Sequence, residues 1–423
     1  MRLLYDLGIF LYGVLLRLIA PFHAKAKLWV QGRKGLMKRI SQTVDSNQKH
    51  IWFHFASLGE FEQGRSVMEQ IKQRYPQEKI IVTFFSPSGY EIRKNTGLAD
   101  YVFYLPEDTK RHANQFLDAI NPKLAIFTKY EYWFHYFDQL EKRGVRLLMI
   151  SAIFREDQLF FKRYGGFYRK LLKKVSFFFT QNMESVHMLK WIGITKAGLA
   201  GDTRFDRVVE LRKTHQSVEA VESFVAGQQV LVAGSTWPAD EELLKGLLAK
   251  YSKWKAVLAP HEIHEDHLKQ LEKTFPSALR FSKFSSYSPE QIAKEQVLII
   301  DNIGMLSSLY FYGQIAYIGG GFGAGIHNTL EAATYGMPVI FGPKYEKFQE
   351  AMDLVELGAG FPISTQEELN RIFEALQDSD KLAIAGASAK KYVNTRSGAT
   401  QIIMKYLETE KLVGHVVPIE SER

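Results

Sequence analysis

Several short motifs place carboxylates and hydroxyls directly after apolar runs that predict β-strands. The first is Ala56-Ser57-Leu58-Gly59-Glu60, which follows a predicted strand over residues 51–56. Gly59 permits a tight turn, and Glu60 then lies at or just before the start of a helix. A carboxylate in that position can act as a general base toward a hydroxyl group. Acidic residues are also common at helix N-termini because the helix dipole favours them, so a purely structural role stays open.

Three further motifs in the first half of the chain follow the same pattern. The hydroxyls of Ser86-Pro87-Ser88-Gly89 can hold an anion or a sugar, although a helix N-cap is the simpler local interpretation. The segment Lys129-Tyr130-Glu131-Tyr132-Trp133 suits carbohydrate binding and, equally, an aromatic packing cluster. In Gly201-Asp202-Thr203-Arg204-Phe205-Asp206, the arginine is a candidate ligand for phosphate or carboxylate, or the partner of a neighbouring aspartate.

Two motifs in the second half also follow predicted strands. Gly234-Ser235-Thr236-Trp237 is rich in hydrogen-bond donors, which predicts an anion-binding loop or a capped helix start. Residues 260–267, PHEIHEDH, contain three histidines, but the His-Glu-x-x-His spacing of zinc proteases fails because Glu265 occupies the fifth position. We therefore predict no metal site, and we expect His261 and Glu262 to meet a ligand.

The most specific motif is the glycine-rich stretch 319–325, GGGFGAG, which follows a predicted strand and leads toward a helix. Glycine lets backbone N–H groups approach a phosphate, and a helix N-terminus adds positive potential. No Lys-Ser or Lys-Thr pair follows, so the stretch is not a P-loop. Asn328 and Glu331 have the spacing of a capping box, or alternatively grip a ribose. The candidate contacts here are Gly320, Gly321, Gly323, Asn328 and Glu331.

The elements that position these motifs alternate between short apolar strands and helices, which predicts parallel sheets covered by helices on both faces. The pattern pauses over residues 206–227 and restarts, which indicates two α/β domains with a boundary near residue 215. Such sheets bind ligands at the carboxyl ends of their strands. The predicted strands are Ile51–Ala56, Lys79–Phe85, Tyr101–Tyr104, Leu124–Thr128, Arg146–Ser151, Phe177–Gln181, Val230–Ala233, Ala256–Ala259, Gln296–Ile300, Ile315–Ile318 and Pro338–Phe341.

Composition excludes several classes of protein. Hydrophobic residues make up 46% of the 423 residues and charged residues 24%, which excludes wholesale disorder. The chain has no cysteine, which excludes disulfides, thiolate nucleophiles and cysteine metal sites. Residues 1–40 hold eight basic residues and one acidic residue, whereas the remainder holds 46 basic and 45 acidic residues. A nucleic-acid-binding protein would spread its basic residues over a folded face, so we predict no nucleic-acid partner.

The basic leader contains an apolar stretch over residues 3–22 that is long enough to cross a bilayer. Asp6 and Arg17 interrupt it, and charges near a bilayer centre are costly. Basic residues follow it, with Trp29 among them as a candidate interfacial anchor. A spanning signal anchor, an interfacial helix and a buried first helix stay open, whereas the missing cleavage site argues against a cleaved signal peptide. We predict membrane attachment with the body of the protein in the cytoplasm.

The ordered combination of these motifs resembles a known enzyme family. The late stretch G-G-x…H-N-x-x-E-A-A…G-x-P-V-x-x-G-P is similar to the donor half of GT-B glycosyltransferases. Together with S-x-G-E, S-P-S-G-Y-E, E-Y-W and G-D-T-R-F-D, it resembles the 3-deoxy-D-manno-octulosonic acid (Kdo) transferases of lipopolysaccharide synthesis over nearly the whole chain. The resemblance implies an α/β GT-B fold, in which doubly wound Rossmann-like domains over residues 26–215 and 216–423 face a central cleft. A membrane-anchor helix over residues 1–25 precedes them.

The resemblance also implies the reaction, which is inverting transfer of Kdo from CMP-Kdo to a lipid A precursor of the lipid IVA type. The implied location is the cytoplasmic face of the bacterial inner membrane. Glu60 corresponds to the general base, and no metal or cofactor is expected because CMP is a good leaving group. The implied acceptor contacts are Ser57, Gly59, Ser86, Ser88, Lys129 and Glu131. The implied donor contacts are Arg204, Ser235, Thr236, His261, Glu262, Gly320, Gly321, Gly323, Asn328 and Glu331.

The sequence departs from the family pattern in three places. Pro260-His261-Glu262 stands where the family has Pro-Arg-His, so the residue that replaces this arginine is open. Lys129-Tyr130-Glu131 keeps only the second glutamate of a Glu-x-Glu motif, and residues 151–155 replace an Asn-Ala-Arg-like segment. The alternatives are a GT-B enzyme with a UDP-sugar donor, a related epimerase, and a non-catalytic membrane-bound protein that binds nucleotide sugars.

Overall fold

Strands and helices alternate along residues 1–414, which are the residues that the computed structural model describes. The chain divides into two units, the first comprising Met1–Arg207 and the residues from Ser397 onward, the second Val208–Arg396. Each unit contains one seven-stranded parallel sheet. The predicted α/β class with two doubly wound sheets is therefore confirmed. Residues 415–423, which the sequence assigned to the second domain, lie outside the described residues.

In the first unit, the sheet has the order β3-β2-β1-β4-β5-β6-β7. Its strands are β1 (His50–Phe55), β2 (Lys79–Phe84), β3 (Tyr101–Tyr104), β4 (Pro122–Thr128), β5 (Arg146–Ala152), β6 (Phe177–Thr180) and β7 (Ala197–Leu199). The helices are α1 (Arg2–Ile19), α2 (Ala24–Arg33), α3 (Leu36–Thr43), α4 (Leu58–Arg74), α5 (Pro87–Arg93), α6 (Lys110–Ile120), α7 (Phe134–Lys142), α8 (Gly166–Leu172), α9 (Met183–Trp191) and α10 (Thr203–Lys213), which extends into the second unit. After the second unit the chain returns to the first in the C-terminal helix over Ala399–Thr409.

In the second unit, the sheet has the order β10-β11-β9-β8-β12-β13-β14. Its strands are β8 (Val230–Thr236), β9 (Lys255–Pro260), β10 (Leu279–Arg280), β11 (Val297–Ile299), β12 (Ile315–Ile318), β13 (Val339–Phe341) and β14 (Gly360–Pro362). The helices are α11 (Glu219–Val225), α12 (Pro238–Lys250), α13 (Glu265–Thr274), α14 (Pro289–Lys294), α15 (Leu306–Leu309), α16 (Leu330–Ala333), α17 (Gln349–Glu356), α18 (Gln366–Ala375) and α19 (Ser379–Arg396). The C-terminal helix Ala399–Thr409 is accordingly α20.

The central strands are continuous apolar runs because helices cover both faces of each sheet. All six residues of β1 are buried, and so are those of β9. In each sheet the winding direction reverses at one pair of neighbours, β1 with β4 and β8 with β12. These two reversals are topological switch points, where the strand ends splay the connecting loops apart and leave a crevice for ligands.

The leader helix α1 packs on the first unit through its polar residues. The Asp6 carboxylate pairs with the His135 ring, and the Arg17 guanidinium donates to Glu107 over 2.6 Å. These two charges, which interrupt the apolar stretch in the sequence, therefore contact protein groups. Among residues 1–414, no single helix is long and apolar enough to cross a membrane, although α1 and α2, bent by 119°, pass that test as a pair.

Trp29 does not have the exposed position expected of an interfacial anchor. It is buried in α2, and the Arg33 guanidinium lies 3.9 Å from its ring centroid. Arg33 also donates to the carbonyl oxygens of Phe85 and Leu105, each over 2.9 Å, and burial lowers its pKa to about 9. One of the leader's basic residues thus holds α2 against the ends of β2 and β3.

The last described helix lies in the first unit, whereas the sequence predicted it in the second. The apolar residues Ile403, Met404 and Leu407 of α20 are buried in the core of the first unit. The Asp206 carboxylate accepts from the backbone N–H groups of Gly398 and Thr400 over 2.5 and 2.8 Å, which caps the start of α20. An apolar helix face packs wherever a matching surface exists. The alternation of strands and helices in the sequence does not show which unit provides that surface.

Candidate active site

The carboxyl ends of β1 and β4, at the switch point of the first unit, bring predicted residues together. Ser57 is the N-cap of α4, and Glu60 lies in the first turn of that helix. The Glu60 carboxylate accepts from the backbone N–H groups of Ala56 and Ser57 over 2.5 and 3.2 Å. This is the reciprocal half of a capping box, so the structural role that the sequence left open is real. The contacts use one oxygen, Oε2, of the carboxylate.

The surroundings of Glu60 favour its neutral form. Burial is the main cause, followed by the negative charge of Glu131, and together they raise the pKa of Glu60 to about 7. The two backbone N–H groups and Lys129 oppose this shift. A carboxylate with a pKa near 7 is a better proton acceptor than an ordinary glutamate, because general-base efficiency is greatest when the pKa approaches the working pH.

A buried network behind this site holds Glu131 in place. The Trp133 indole N–H donates to the Glu131 carboxylate over 2.9 Å, and His54 Nε2 lies 3.1 Å from the same oxygen. His54 is fully buried in β1, and its Nδ1 hydrogen-bonds the Thr83 hydroxyl at 2.9 Å. Each ring nitrogen of His54 therefore has a partner, which fixes the orientation of the ring and of the carboxylate that it supports.

The backbone conformations of Gly59 and Lys129 are the reverse of what their residue types suggest. Gly59 lies inside α4 with no positive φ, and a Cβ there would meet nothing within 4 Å, so the predicted tight turn at Gly59 is wrong. Lys129 instead adopts φ +47°, in the left-handed region that lysine rarely occupies. Backbone strain of this kind is common where a loop must aim a side chain at a functional site.

Arg204 lies in the first unit and is paired with its neighbour. Its guanidinium contacts the Asp202 carboxylate at 2.9 Å, and Asp202 also accepts from the Gln63 amide at 3.1 Å. Burial alone would raise the pKa of Asp202, but the charges of Arg204 and Lys129 outweigh it and lower this pKa. The salt bridge that the sequence offered as the alternative for Arg204 is thus formed.

Ser86 and Ser88 lie at the carboxyl end of β2, one strand away from β1. Ser86 is the N-cap of α5, and its hydroxyl accepts from the Ser88 backbone N–H over 3.3 Å. The two hydroxyls also hydrogen-bond each other at 2.9 Å. The simpler interpretation of this motif, a capped turn, is therefore correct for Ser86, while the Ser88 side chain is exposed.

In the second unit, the ends of β8 and β12 meet at the switch point, but Thr236 points into the protein. Its hydroxyl is buried and donates to Glu241 over 3.0 Å, and Glu241 pairs with His267 at 3.0 Å. Ser235 adopts φ +54° at the end of the strand. Thr236 therefore stabilises the loop from within, and Ser235 is the half-exposed hydroxyl of this motif.

An aromatic stack stands beside this loop. The His261 ring stacks on the rings of Trp237 and His327, with centroid distances of 4.8 and 4.3 Å. The Trp237 indole N–H donates to His327 Nε2 over 3.2 Å. Burial, followed by the nearby His261, lowers the pKa of His327 to about 4, so this ring is a neutral acceptor. Flat rings in this arrangement present a face on which a planar group can stack.

The remaining histidines of the PHEIHEDH motif point elsewhere. Glu262 is exposed and pairs with His264 at 3.0 Å, whereas His267 pairs with Glu241. Across residues 1–414, no group of three or more histidine, aspartate or glutamate side chains is arranged to hold a metal ion. The absence of metal from the reaction stays a prediction.

The glycine-rich loop is shaped mainly by close backbone approaches. A Cβ on Gly321 would lie 2.6 Å from the backbone of Gly342, and Gly320 adopts φ +92°. The Gly320 N–H donates to the buried Asp240 carboxylate over 2.9 Å, so it does not face a ligand as the sequence predicted. Gly323 is exposed at the tip of the loop, and its N–H donates to the Gly320 carbonyl oxygen over 2.9 Å.

Asn328 and Glu331 contact each other after this loop. The Asn328 amide donates to the Glu331 carboxylate over 3.0 Å, and its own oxygen accepts from the Leu330 backbone N–H over 3.0 Å. Both side chains are half-exposed. The helix that follows, α16, spans only Leu330–Ala333, so the predicted contribution of a helix dipole to phosphate binding is small.

Three residues at these strand ends escaped sequence reasoning. His54 lies inside an apolar strand, where a lone histidine gives no functional signal. His327 belongs to the H-N-x-x-E-A-A motif, in which the sequence suggests a role for Asn328 and Glu331 but none for the histidine. Lys344 follows β13 and donates to the Gly323 carbonyl oxygen over 2.8 Å. The rule that ligands bind after strands would have found Lys344, because it lies directly beyond the Gly-Pro turn.

Comparisons with known proteins identify proteins that are similar to this chain. A family model described as 3-Deoxy-D-manno-octulosonic-acid transferase (kdotransferase) matches residues 30–207. A bifunctional glycosyltransferase/methyltransferase of Fusobacterium nucleatum is 24% identical over 81% of this chain, and the match spans only 55% of that protein. A 3-deoxy-D-manno-octulosonic acid transferase of Aquifex aeolicus is 26% identical over 85% of this chain and 92% of that protein.

The fold itself is similar to that of a solved enzyme. The crystal structure of UDP-GlcNAc 2-epimerase from Neisseria meningitidis bound to UDP-GlcNAc matches with a TM-score of 0.57 and 14% identity, covering 85% of this chain and 100% of that one. At this identity the likeness concerns the fold alone, and it agrees with the GT-B-like architecture predicted from the motifs. Residues 30–207 therefore match the 3-deoxy-D-manno-octulosonic acid transferase family, and the relatives extend this similarity over most of the chain.

Proposed function

We propose that this protein transfers Kdo from CMP-Kdo to a lipid A precursor, with inversion at the anomeric carbon. Glu60 takes the proton of the acceptor hydroxyl while that oxygen attacks the anomeric carbon. The bond from that carbon to the CMP phosphate breaks, and its electron pair leaves with CMP. The observation that carries the proposal is the position of Glu60 at the switch point of the first sheet, with a pKa of about 7. No cofactor is needed for this displacement.

The candidate residues of the two units carry different chemical groups, which supports a different role for each unit. In the first unit, Glu131, Lys129 and Ser88 lie at the strand ends around Glu60 and are the proposed acceptor contacts. In the second unit, the Trp237–His261–His327 stack offers a planar surface for the cytosine ring. Asn328 and Glu331 provide an amide and a carboxylate for the ribose hydroxyls, and Ser235 and Lys344 provide donors for the phosphate.

The substitution Glu60→Gln tests the base directly. We expect transfer to fall by about two to four orders of magnitude, because glutamine cannot accept the proton. The fold should be kept, since glutamine also closes a capping box. The pKa of Glu60 is raised above its ordinary value, so the stability that this group contributes is lost as the pH rises through about 7. At pH 8, Glu60→Gln should therefore unfold at the same temperature as the unsubstituted protein or slightly higher.

Glu60→Ala is the matched control for this variant. Alanine removes the base and the cap together, so it should lose both activity and thermal stability. Unchanged transfer in Glu60→Gln, at any pH, would refute the assignment of Glu60.

The donor distinguishes the proposal from an enzyme that uses a UDP-sugar. Incubation with CMP-Kdo and a tetraacylated lipid A precursor, read by mass spectrometry, should give the acceptor plus Kdo and free CMP. Turnover of UDP-GlcNAc without turnover of CMP-Kdo would replace the proposal with an epimerase or a UDP-sugar transferase. CMP-Kdo binding without turnover would leave the non-catalytic alternative.

We also propose that the protein acts on the cytoplasmic face of the bacterial inner membrane, with α1 lying in the interface. The outward face of α1 exposes large apolar side chains, whereas its polar residues Tyr5, Asp6 and Arg17 contact the first unit. A helix with one apolar face and one docked polar face inserts into the headgroup region instead of crossing the bilayer. The exposed apolar residues of α1 include Leu3, Leu4, Leu7, Phe10, Leu11, Leu15, Leu18 and Ile19.

A further inference from the structure

A cavity of about 280 Å³ lies in the first unit between α1, α2 and the loop after β2. Leu16 and Ile19 of α1 form one wall, Ala26 and Trp29 of α2 form another, and Phe85 of the loop forms a third. Most of the lining residues are therefore aliphatic or aromatic.

Aromatic rings contact one another along the inner side of the cavity. The Tyr12 ring stacks on Phe85 with a centroid distance of 6.0 Å, and Trp29 meets Phe85 edge-on at 6.2 Å. Arg33 holds Trp29 from below and donates to the Phe85 carbonyl oxygen over 2.9 Å. Preformed apolar pockets bind apolar groups well because the walls need no reordering.

The cavity lies next to two features of the proposed reaction. Ser86 and Pro87, from the loop that carries the proposed acceptor contact Ser88, line it on one side. Ile19, which forms part of its wall, also belongs to the exposed apolar face of α1. The acceptor is proposed to bind at that loop, and its acyl chain would come from the membrane interface in which α1 is proposed to lie. For such a chain, this cavity is the nearest apolar site.

We propose that the cavity binds an acyl chain of the lipid acceptor. The proposal rests on the proposed function and adds an acyl-chain subsite to it. His23 and Lys25 are the basic residues on its lining, and they suit an anionic headgroup attached to that chain. A sugar would find few polar partners among these side chains, and its hydroxyls would lose their hydration without replacement.

The test compares Leu16→Phe with Leu28→Phe. Leu16 lines the cavity, so phenylalanine there narrows it, whereas Leu28 of α2 is 39% exposed, does not line it and serves as the matched control. In detergent micelles, Leu16→Phe should raise the KM for the tetraacylated acceptor about tenfold, the cost of excluding roughly two methylene groups. The KM for the same phosphorylated disaccharide without acyl chains should not change. Leu28→Phe should change neither value.

A binding measurement separates this proposal from the proposed function. Dodecyl phosphate that carries a diazirine at the end of its chain should label residues of the cavity wall, as mapped by mass spectrometry. Labelling should fall about tenfold in Leu16→Phe and stay in Leu28→Phe. Labelling confined to the outward face of α1, or an equal KM change for both acceptors, would overturn the subsite. Labelling of the wall in a protein that transfers no Kdo would leave the subsite and count against the proposed function.

Discussion

Glu60 combines a structural contact with the proposed role of general base in one side chain, and the charge of its neighbour Glu131 raises its pKa. Glu131→Gln should move the midpoint of the acidic limb of the pH profile of kcat/KM downward by about one unit. The reason is that the Glu131 charge is the second cause, after burial, of the raised pKa of Glu60. Glutamine keeps an oxygen for the Trp133 and His54 contacts, so the network behind it is preserved. The position of the limb reports the base of the free enzyme.

Glu62→Gln is the control for this shift. Glu62 lies two residues further along α4 and pairs with Arg65 and Arg93, away from the Glu60 carboxylate. Its loss should leave the midpoint unchanged. A midpoint that stays in place or moves upward in Glu131→Gln would show that Glu131 does not tune the base.

The sequence predicted the position of candidate site residues in the fold correctly where they come shortly after an apolar run that forms a strand. Glu60, Lys129 and Glu131 were found in this way, and the structure places them at the β1 and β4 ends of one sheet. Thr236 and Gly320 fit the same rule, yet their polar groups bond to Glu241 and Asp240 inside the protein. The direction of a side chain depends on partners from distant segments, and local sequence does not contain them.

Some helices and strands can be predicted from the local sequence, whereas the position of others depends on distant segments of the chain. The strands Tyr101–Tyr104 and Ile315–Ile318 have the bounds that their apolar runs predict. The short edge strands β7, β10 and β14 were missed, because two or three residues give no periodic signal. The place of α20 could not be predicted either, since it depends on a surface of the first unit and on a cap from Asp206.

The cap on α20 gives a prediction at this scale. Asp206→Ala should lower the thermal midpoint of the first unit by a few degrees, because loss of an N-cap costs about 1–2 kcal/mol and each kcal/mol shifts the midpoint by about 2–4 °C in a domain of this size. Asp206→Asn should recover only part of this loss, because asparagine has one acceptor oxygen where Asp206 uses two. Differential scanning calorimetry measures both variants. Equal midpoints for Asp206→Ala and the unsubstituted protein would show that the apolar face of α20 alone holds it.

The structure shows which basic residues of the leader contact protein groups and which are exposed, and this changes how the net charge is interpreted. The net charge is +8, and the first 40 residues supply most of it. Arg33 is enclosed by α2 and the strand ends, and Arg17 pairs with Glu107, so neither is simply displayed to solvent. Lys25, Lys27 and Lys34 remain exposed beside the apolar face of α1. Apolar side chains with lysines next to them are typical of helices that bind anionic membrane surfaces.

This arrangement predicts that membrane binding depends on the outward face of α1 and not on the presence of a spanning segment. The double variant Leu3→Ser/Phe10→Ser should keep its fold, because both side chains are largely exposed, at 83% and 64%. Each inserted side chain contributes about 1.5–3 kcal/mol, so partition onto anionic vesicles should fall on the order of a hundredfold or more. Ile384→Ser, at an exposed apolar residue of the second unit, should leave sedimentation with vesicles unchanged. If the double variant still sediments with vesicles as the unsubstituted protein does, another surface carries the attachment, and α1 has no part in it.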